Sequence, residues 1–240
     1  MRIIARLDIK NNYVIKGINF EGLRKVGSPT DLCLKYYKDG ADELILFDSV
    51  ASLYSRNNLF DIIKKITKDI FIPVCVGGGI RTLEDIKMAL YSGADKVLVN
   101  TSIVKDISFL KEATQNFGTS NIVVSIEAKK FENNWEVYVN SGRDKTGINV
   151  FDWIKKVQDI GCGEIVITSI DHDGTRKGLD LDLINKIKEN KIFVPLIFSG
   201  GVGNIAHVID LKKVFPDEAL ALGSALHYNM LKLNEIKKIF

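Results

Sequence analysis

The chain predicts an α/β protein: a single domain closing into a (β/α)8 (TIM) barrel built from two half-barrel repeats. Three observations carry that expectation. Short β-branched runs alternate with amphipathic stretches eight times within 240 residues, which is the arithmetic of such a barrel. The runs are nearly continuous in apolar residues, as parallel strands buried on both faces are. The second half also repeats landmarks of the first. Leu7-Asp8-Ile9-Lys10 returns as Ile126-Glu127-Ala128-Lys129, Gly40-Ala41-Asp42-Glu43 as Gly161-Cys162-Gly163-Glu164, and Gly78-Gly79-Ile80 as Gly200-Gly201-Val202. A doubly wound open sheet is the competing architecture. Its GxGxxG turn is absent after the first strand, and the glycines follow the third and seventh strands instead.

Taken in order, Ile3–Ile9 reads as the first strand and Pro29–Lys38 as the first helix, followed by strand Glu43–Asp48 and helix Leu59–Lys68. The third strand, Phe71–Val76, stops abruptly at Gly77-Gly78-Gly79, and a helical pattern takes over at Thr82 and runs through Leu83–Ser92. Lys96–Asn100 and Ile107–Phe117 complete the first half, residues 1–120 or so. The second half, 121–240, continues with strands Ile122–Glu127, Glu164–Ser169, Phe193–Phe198 and Glu218–Leu222. Its helices are expected at Val150–Ile160, Leu181–Glu189, Ile205–Val214 and Leu231–Ile239. No linker or shift in composition divides the halves, so 1–240 is one domain. Two connections are long. Lys10 to Ser28 reads as an extended loop carrying Lys16, and Lys129 to Gly147 contains an alternating segment, Trp135–Val139, with the pattern of a small hairpin. Long ordered loops on the catalytic face of a barrel are usually functional.

Bulk properties exclude several classes. A net charge of +3, with lysines scattered along helix-like segments, does not describe a polyanion or membrane binder. Three cysteines without CxxC spacing read as reduced thiols, with no metal site and no cofactor motif. The first residues lack a signal-peptide apolar core, and no apolar run approaches ~18 residues, so a soluble cytoplasmic protein is expected.

Working residues of such a barrel lie at the C-terminal ends of its strands. There the chain places Asp8, Asp48, Glu127, Thr168, and the segment from Ser169 through Asp171, His172 and Asp173. Gly78 and Gly79 with Asn100 and Thr101, and Gly200 and Gly201 with Gly223 and Ser224, have the character of two phosphate sites. Backbone N–H groups, hydroxyls and helix starts suit a dianion, and two such sites across one mouth imply a substrate with a phosphate at each end. Asp8 and Glu127, four strands apart, face each other between them, which suits one general base and one general acid. Asp171 and Asp173 are further candidates, although DxDG also makes a sound turn, and His172 reads as an exposed loop residue. At the opposite ends of the strands, Arg2, Glu43, Lys96 and Glu164 supply two charges of each sign, enough for a ring of salt bridges.

RIIARLDIK with Lys16-Gly17-Ile18-Asn19-Phe20, VGGGIRTLED, GADKVLVNTS, ITSIDHDGT and SGGVGN together resemble the cyclase subunit of imidazole glycerol phosphate synthase, the HisF family of histidine biosynthesis, from Arg2 to about Tyr228. The resemblance implies a barrel that pairs, as a heterodimer, with a glutamine amidotransferase at its N-terminal face. Ammonia would pass through the barrel to a bisphosphorylated ribotide, phosphoribulosyl-formimino-aminoimidazole carboxamide ribotide. It implies Asp8 and the strand-five acid as base and acid, Lys16 in substrate closure, and phosphate held by Asn100, Thr101 and the glycines. It also makes Arg2, Glu43, Lys96 and Glu164 an ammonia gate, with Asp95 at the partner interface. Two positions depart from the family pattern. The strand-five acid is Glu127 where the family has Asp, a displacement on a scale that can cost ~10²-fold in rate. Arg6 stands where the family has Cys, placing a cation on the face of Asp8. These departures support an alternative, a paralogue delivering ammonia for amidination of a nucleotide-sugar precursor of surface glycans; a phosphosugar isomerase is a more distant third.

Overall fold

The computed structural model describes residues 1–49 and 59–239. Eight parallel strands close into a barrel: β1 (Ile3–Lys10), β4 (Glu43–Asp48), β5 (Val74–Gly77), β6 (Lys96–Val99), β7 (Ile122–Phe131), β10 (Glu164–Ser169), β11 (Leu196–Ser199) and β12 (Ala219–Leu222). Closure is made by β1 pairing with both β12 and β4, and by β7 pairing with both β6 and β10. The remaining strands, β2 (Tyr13–Ile18), β3 (Glu21–Gly27), β8 (Asn134–Val139) and β9 (Asp144–Asn149), extend β1 and β7 as antiparallel hairpins. This is the (β/α)8 barrel the periodicity predicts.

Strand alternation sorts the side chains into two cores. Outward residues such as Ile3, Leu7, Leu44, Val97 and Ile165 pack under the helices. Inward residues Ile4, Ile45, Cys75, Leu98, Val123, Val166, Ile197, Ala219 and Ala221 fill the lumen. Below that apolar plug lies a charged layer, and above it a polar one. The lumen is therefore a stack in which only the two ends carry charge.

Acids just before barrel strands finish the neighbouring strand. Asp42 accepts a hydrogen bond from the Ile3 N–H at 2.8 Å, Asp95 from Val74 N–H at 2.8 Å, and Glu218 from Leu196 N–H at 2.6 Å. Each carboxylate satisfies the first orphan donor of the strand beside it. The Gly-Ala-Asp sequence before β4 and β6 is thus a strand-start device as well as a repeat landmark.

Three expectations need correction. The connection after β1 is not a loop but the β2–β3 hairpin, whose Ile15 and Val14 pair with Asp8 and Ile9. Second, β5 and β11 start three residues later than the apolar runs suggest. Both runs open with Phe-X-Pro; Pro73 and Pro195 have no N–H for the ladder, so pairing begins after them. Phe71 and Phe193 are left 79% and 70% exposed beside the strand starts. Third, His172 is half-buried, its Nδ1 2.7 Å from the Gly178 carbonyl oxygen.

Candidate active site

The C-terminal mouth is organised by a buried charge network. Asp8 points inward from β1, two residues beyond Arg6. Its Oδ1 accepts from Arg6 Nε at 3.0 Å and its Oδ2 from Lys16 Nζ at 2.9 Å. Lys16, on β2, also donates to both oxygens of Asp173, at 3.0 and 2.8 Å. Arg6 reaches on across the lumen, with Nη1 2.8 Å from Thr168 Oγ1 and 3.5 Å from Ser199 Oγ. Its guanidinium carbon lies 5.6 Å from the Phe47 ring centroid and 5.9 Å from that of Phe20. Asp8, Lys16, Arg6 and Asp173 are all buried.

Glu127 occupies β7, four strands from β1 in either direction around the barrel. It is 1% exposed, and its Oε2 accepts from the Gly142 N–H at 2.8 Å in the turn joining β8 to β9. The two acids sit in opposite electrostatic environments. Burial pushes the Glu127 carboxyl up to about 7, opposed by the Gly142 N–H and Arg6. Burial also resists the charge of Asp8, but Arg6 and Lys16 outweigh it and hold that carboxyl well below the usual range. Lys16 pays the same desolvation, and Asp173 and Asp8 still raise its pKa above that of an ordinary lysine. Near neutrality the opposed pair therefore consists of one firmly ionised carboxylate, Asp8, and one that exchanges its proton, Glu127.

The two glycine clusters flank these acids and share a backbone geometry. Gly78 and Gly79 have φ of 91° and 76°, and Gly200 and Gly201 have 100° and 101°. A Cβ on Gly78 would lie 2.2 Å from the Asp48 carbonyl oxygen, and one on Gly201 would lie 1.9 Å from that of Gly178. Gly78→Ala is accordingly expected to cost on the order of 3 kcal/mol, combining left-handed strain with a backbone clash; urea unfolding of the variant measures it.

The spaces beside the clusters differ. At Gly78 and Gly79 a cavity of about 340 Å³ extends over Asp48, Asn100, Thr101, Ser102 and Glu127. Asn100 Nδ2 donates to the Tyr138 carbonyl at 3.3 Å, and Thr101 Oγ1 accepts from the Asn140 N–H at 3.1 Å. Among the described residues, Asn100 Oδ1 and Ser102 Oγ are buried with no hydrogen-bond partner, and buried polar groups are ordinarily satisfied. At Gly200, Gly201, Gly223 and Ser224 the cavity is only about 20 Å³, walled by Arg6, Lys16 and Asp173. The cations themselves close this second space.

At the opposite end, the four charged residues form a closed ring. Arg2 Nη1 donates to Glu43 Oε2 at 2.9 Å, and its Nη2 bonds Glu164. Lys96 Nζ donates to Glu43 at 3.1 and 3.0 Å and to Glu164 at 2.9 Å. Burial raises the Glu43 pKa; Lys96 is also raised, because its bonds to Glu164 and Glu43 outweigh its desolvation. The ring lies at the strand starts, beneath the apolar lumen layer, at the barrel end where Phe71 and Phe193 are exposed.

The structure thus brings Asp8, Glu127, Lys16, Thr168, Asp173, Asp48 and both glycine sets to one mouth. Asp171 falls outside this group: its carboxylate accepts from the Lys130 N–H at 2.8 Å and ties the loop after β10 to β7. Asp95 is exposed at the ring end, with one oxygen committed to the start of β5. Two contributors escaped sequence reasoning. Asp180 is buried and accepts from Trp135 Nε1 and Ser169 Oγ, both at 3.0 Å, and from the Leu183 N–H at 3.1 Å. It locks the loop after β10 against the β7–β8 hairpin; an Asp immediately before a helical pattern is an N-cap signal that would have drawn attention to it. His227 is buried beneath Gly223 with Nδ1 2.7 Å from Tyr36 Oη. Burial, then Lys16, lowers its pKa to about 4, so it is neutral at pH 7. No spacing in the sequence singles it out.

The model of the histidine biosynthesis protein family matches residues 2–232. Three curated relatives carry the name imidazole glycerol phosphate synthase subunit HisF. One, from Legionella pneumophila, is 48% identical over 206 residues, covering 85% of this chain and 97% of its own length. A second, from Prochlorococcus marinus strain NATL1A, is 42% identical over 99% of this chain and 94% of its own. A third, from Thermococcus onnurineus strain NA1, is 41% identical over 99% and 93%.

Proposed function

The chain belongs to the histidine biosynthesis protein family, and we propose on that premise that it is the cyclase subunit of imidazole glycerol phosphate synthase, an enzyme of imidazole-ring formation. The observation that carries the reading is the pair of opposed carboxylates with different proton affinities, set between two glycine cradles. The relatives described above all carry the cyclase-subunit name, and none of those names favours the nucleotide-sugar alternative that Glu127 and Arg6 raised.

On this reading the residues of the mouth take distinct roles. The ribotide lies across the mouth with one phosphate at Gly78, Gly79, Asn100 and Thr101 and the other at Gly200, Gly201, Gly223 and Ser224. Glu127, half-protonated near neutrality, donates a proton to the leaving side of the reacting centre. Asp8 receives the proton released as ammonia adds. While Lys16 and Arg6 both hold it, Asp8 is a poor base. Drawing Lys16 toward substrate, on a hairpin that can close over the mouth, removes one cation and restores its basicity. Thr168 holds Arg6 in place, and Asp48 and Asp173 shape the walls.

The partner is a glutamine amidotransferase subunit at the ring end, where exposed Phe71 and Phe193 supply apolar anchors and Asp95 a rim charge. Ammonia passes the Arg2–Glu43–Lys96–Glu164 ring and the apolar lumen as the neutral molecule, which that lining favours over ammonium. Purified protein given the ribotide and ammonium salt at alkaline pH is expected to form imidazole glycerol phosphate without the partner. Failure by a folded preparation would remove the cyclase assignment. For the gate, Lys96→Met leaves Glu43 and Glu164 with Arg2 as the ring's one remaining cation. With the partner present, glutamine-driven turnover should fall about tenfold or more relative to ammonium-driven turnover, a loss of roughly 1.4 kcal/mol in coupling; an unchanged ratio would place the conduit elsewhere.

A further inference from the structure

The second glycine cradle is bounded on its lumen side by the side chain of Arg6. Arg6 is 5% exposed. Its Nε is spent on Asp8 and its Nη1 on Thr168 and Ser199, while Nη2 makes no hydrogen bond with any described residue. Arg6 and Ala221, one of two alanines that β12 presents to the lumen, both line this cavity, and the guanidinium spans from β1 to Thr168 on β10 and Ser199 on β11. Charged residues lining the small cavity are Arg6, Lys16 and Asp173, two cations against one carboxylate.

We propose that Arg6 is an anion-binding and specificity-determining residue of this cradle. It takes a phosphate dianion from the lumen side, through Nη2, while the N–H groups around Gly200, Gly201, Gly223 and Ser224 take it from the loop side. The inference rests on the two-cradle reading of the mouth given above and deepens it. A buried guanidinium with a spare N–H fork edge is the donor best suited to a phosphate. Because Arg6 is already fixed by Asp8, Thr168 and two aromatic rings, little freedom is lost when the anion arrives. The site therefore selects a doubly charged terminal phosphate over a neutral or singly charged group at that end of the substrate. The space measures about 20 Å³ with Lys16 bonded to Asp8 and Asp173: the anion enters as Lys16 is drawn from these carboxylates toward the substrate, and Arg6 stays.

The test is titration of the ¹⁵N-labelled protein with inorganic phosphate, read at single amides. Gly200, Gly201, Gly223 and Ser224 report this cradle; Gly79, Thr101 and Ser102 report the other. In Arg6→Met, which keeps volume and apolar packing, phosphate affinity at the first set is expected to fall about 10- to 100-fold, the worth of a hydrogen bond to a charged group. Affinity at the second set should stay within about twofold. Arg6→Lys, which keeps the charge without the fork, should fall between wild type and Arg6→Met, and both variants are checked for native melting. Equal affinity at the first set in wild type and a folded Arg6→Met overturns the role of Arg6 and leaves the cradle reading standing. If phosphate shifts none of the first-set amides in the wild type, both fall.

Discussion

Replacing Glu127 by Gln is expected to lower turnover by about 10²- to 10⁴-fold, the range contributed by a positioned proton donor. The amide keeps the shape and can still accept from the Gly142 N–H, which the carboxylate does at 2.8 Å; what it lacks is the exchangeable proton. The pH profile makes the role specific. With the Glu127 pKa near 7, the protonated fraction falls tenfold per pH unit above that value. At fixed ammonia concentration, kcat/KM of the wild type should decline above about pH 7, and Glu127→Gln should lose that limb. Stability also falls as pH rises. A carboxyl raised in the folded state from its unfolded value of 4.5 favours folding less and less as pH rises through 7. At pH 8 the Gln variant should therefore be more stable than wild type, by up to about 3 kcal/mol. A variant that is less stable at pH 8, or that keeps the alkaline limb, would remove Glu127 from the acid's position.

The placement of that acid shows what was legible in the sequence. Strand alternation and the Asp8–Glu127 repeat predict two inward carboxylates on opposed strands, and the barrel order delivers them. The four-charge ring was equally readable, because residues at the starts of parallel strands share one end whatever the details of packing. Depth and partner choice were not readable. Lys16 belongs to a connection whose hairpin pairing is set by contact with β1, so its bond to Asp173, far along the chain, has no local signature. The same holds for Asp171 and Asp173: two residues apart in one turn, one ties a loop to β7 and the other enters the charge network. Periodicity identifies the apolar runs beginning at Phe71 and Phe193, but only the missing N–H of the following prolines sets where each strand starts.

Asp8→Asn should have the largest combined effect, and its two parts can be separated. Removing this carboxylate leaves Arg6 and Lys16 buried with Asp173 as the remaining anion in direct contact. Breaking a buried pair from one side costs about 3–5 kcal/mol, because the desolvated partner charge is left uncompensated. Linkage gives the same sign. The Asp8 pKa is depressed in the folded protein by Arg6 and Lys16, so it contributes stability that is present above the unfolded carboxylate range and lost as pH falls below it. The destabilisation by Asp8→Asn, measured by urea unfolding, should be full at pH 7 and shrink toward pH 3. Turnover should fall about 10²- to 10⁴-fold for loss of the base. Adding Arg6→Met to Asp8→Asn removes the surplus cation, and the double variant should regain much of the stability while turnover stays low. That non-additivity is the mark of a direct pair. If activity returned along with stability, Asp8 would be a structural counter-ion to Arg6 and the base would have to be sought elsewhere in the mouth.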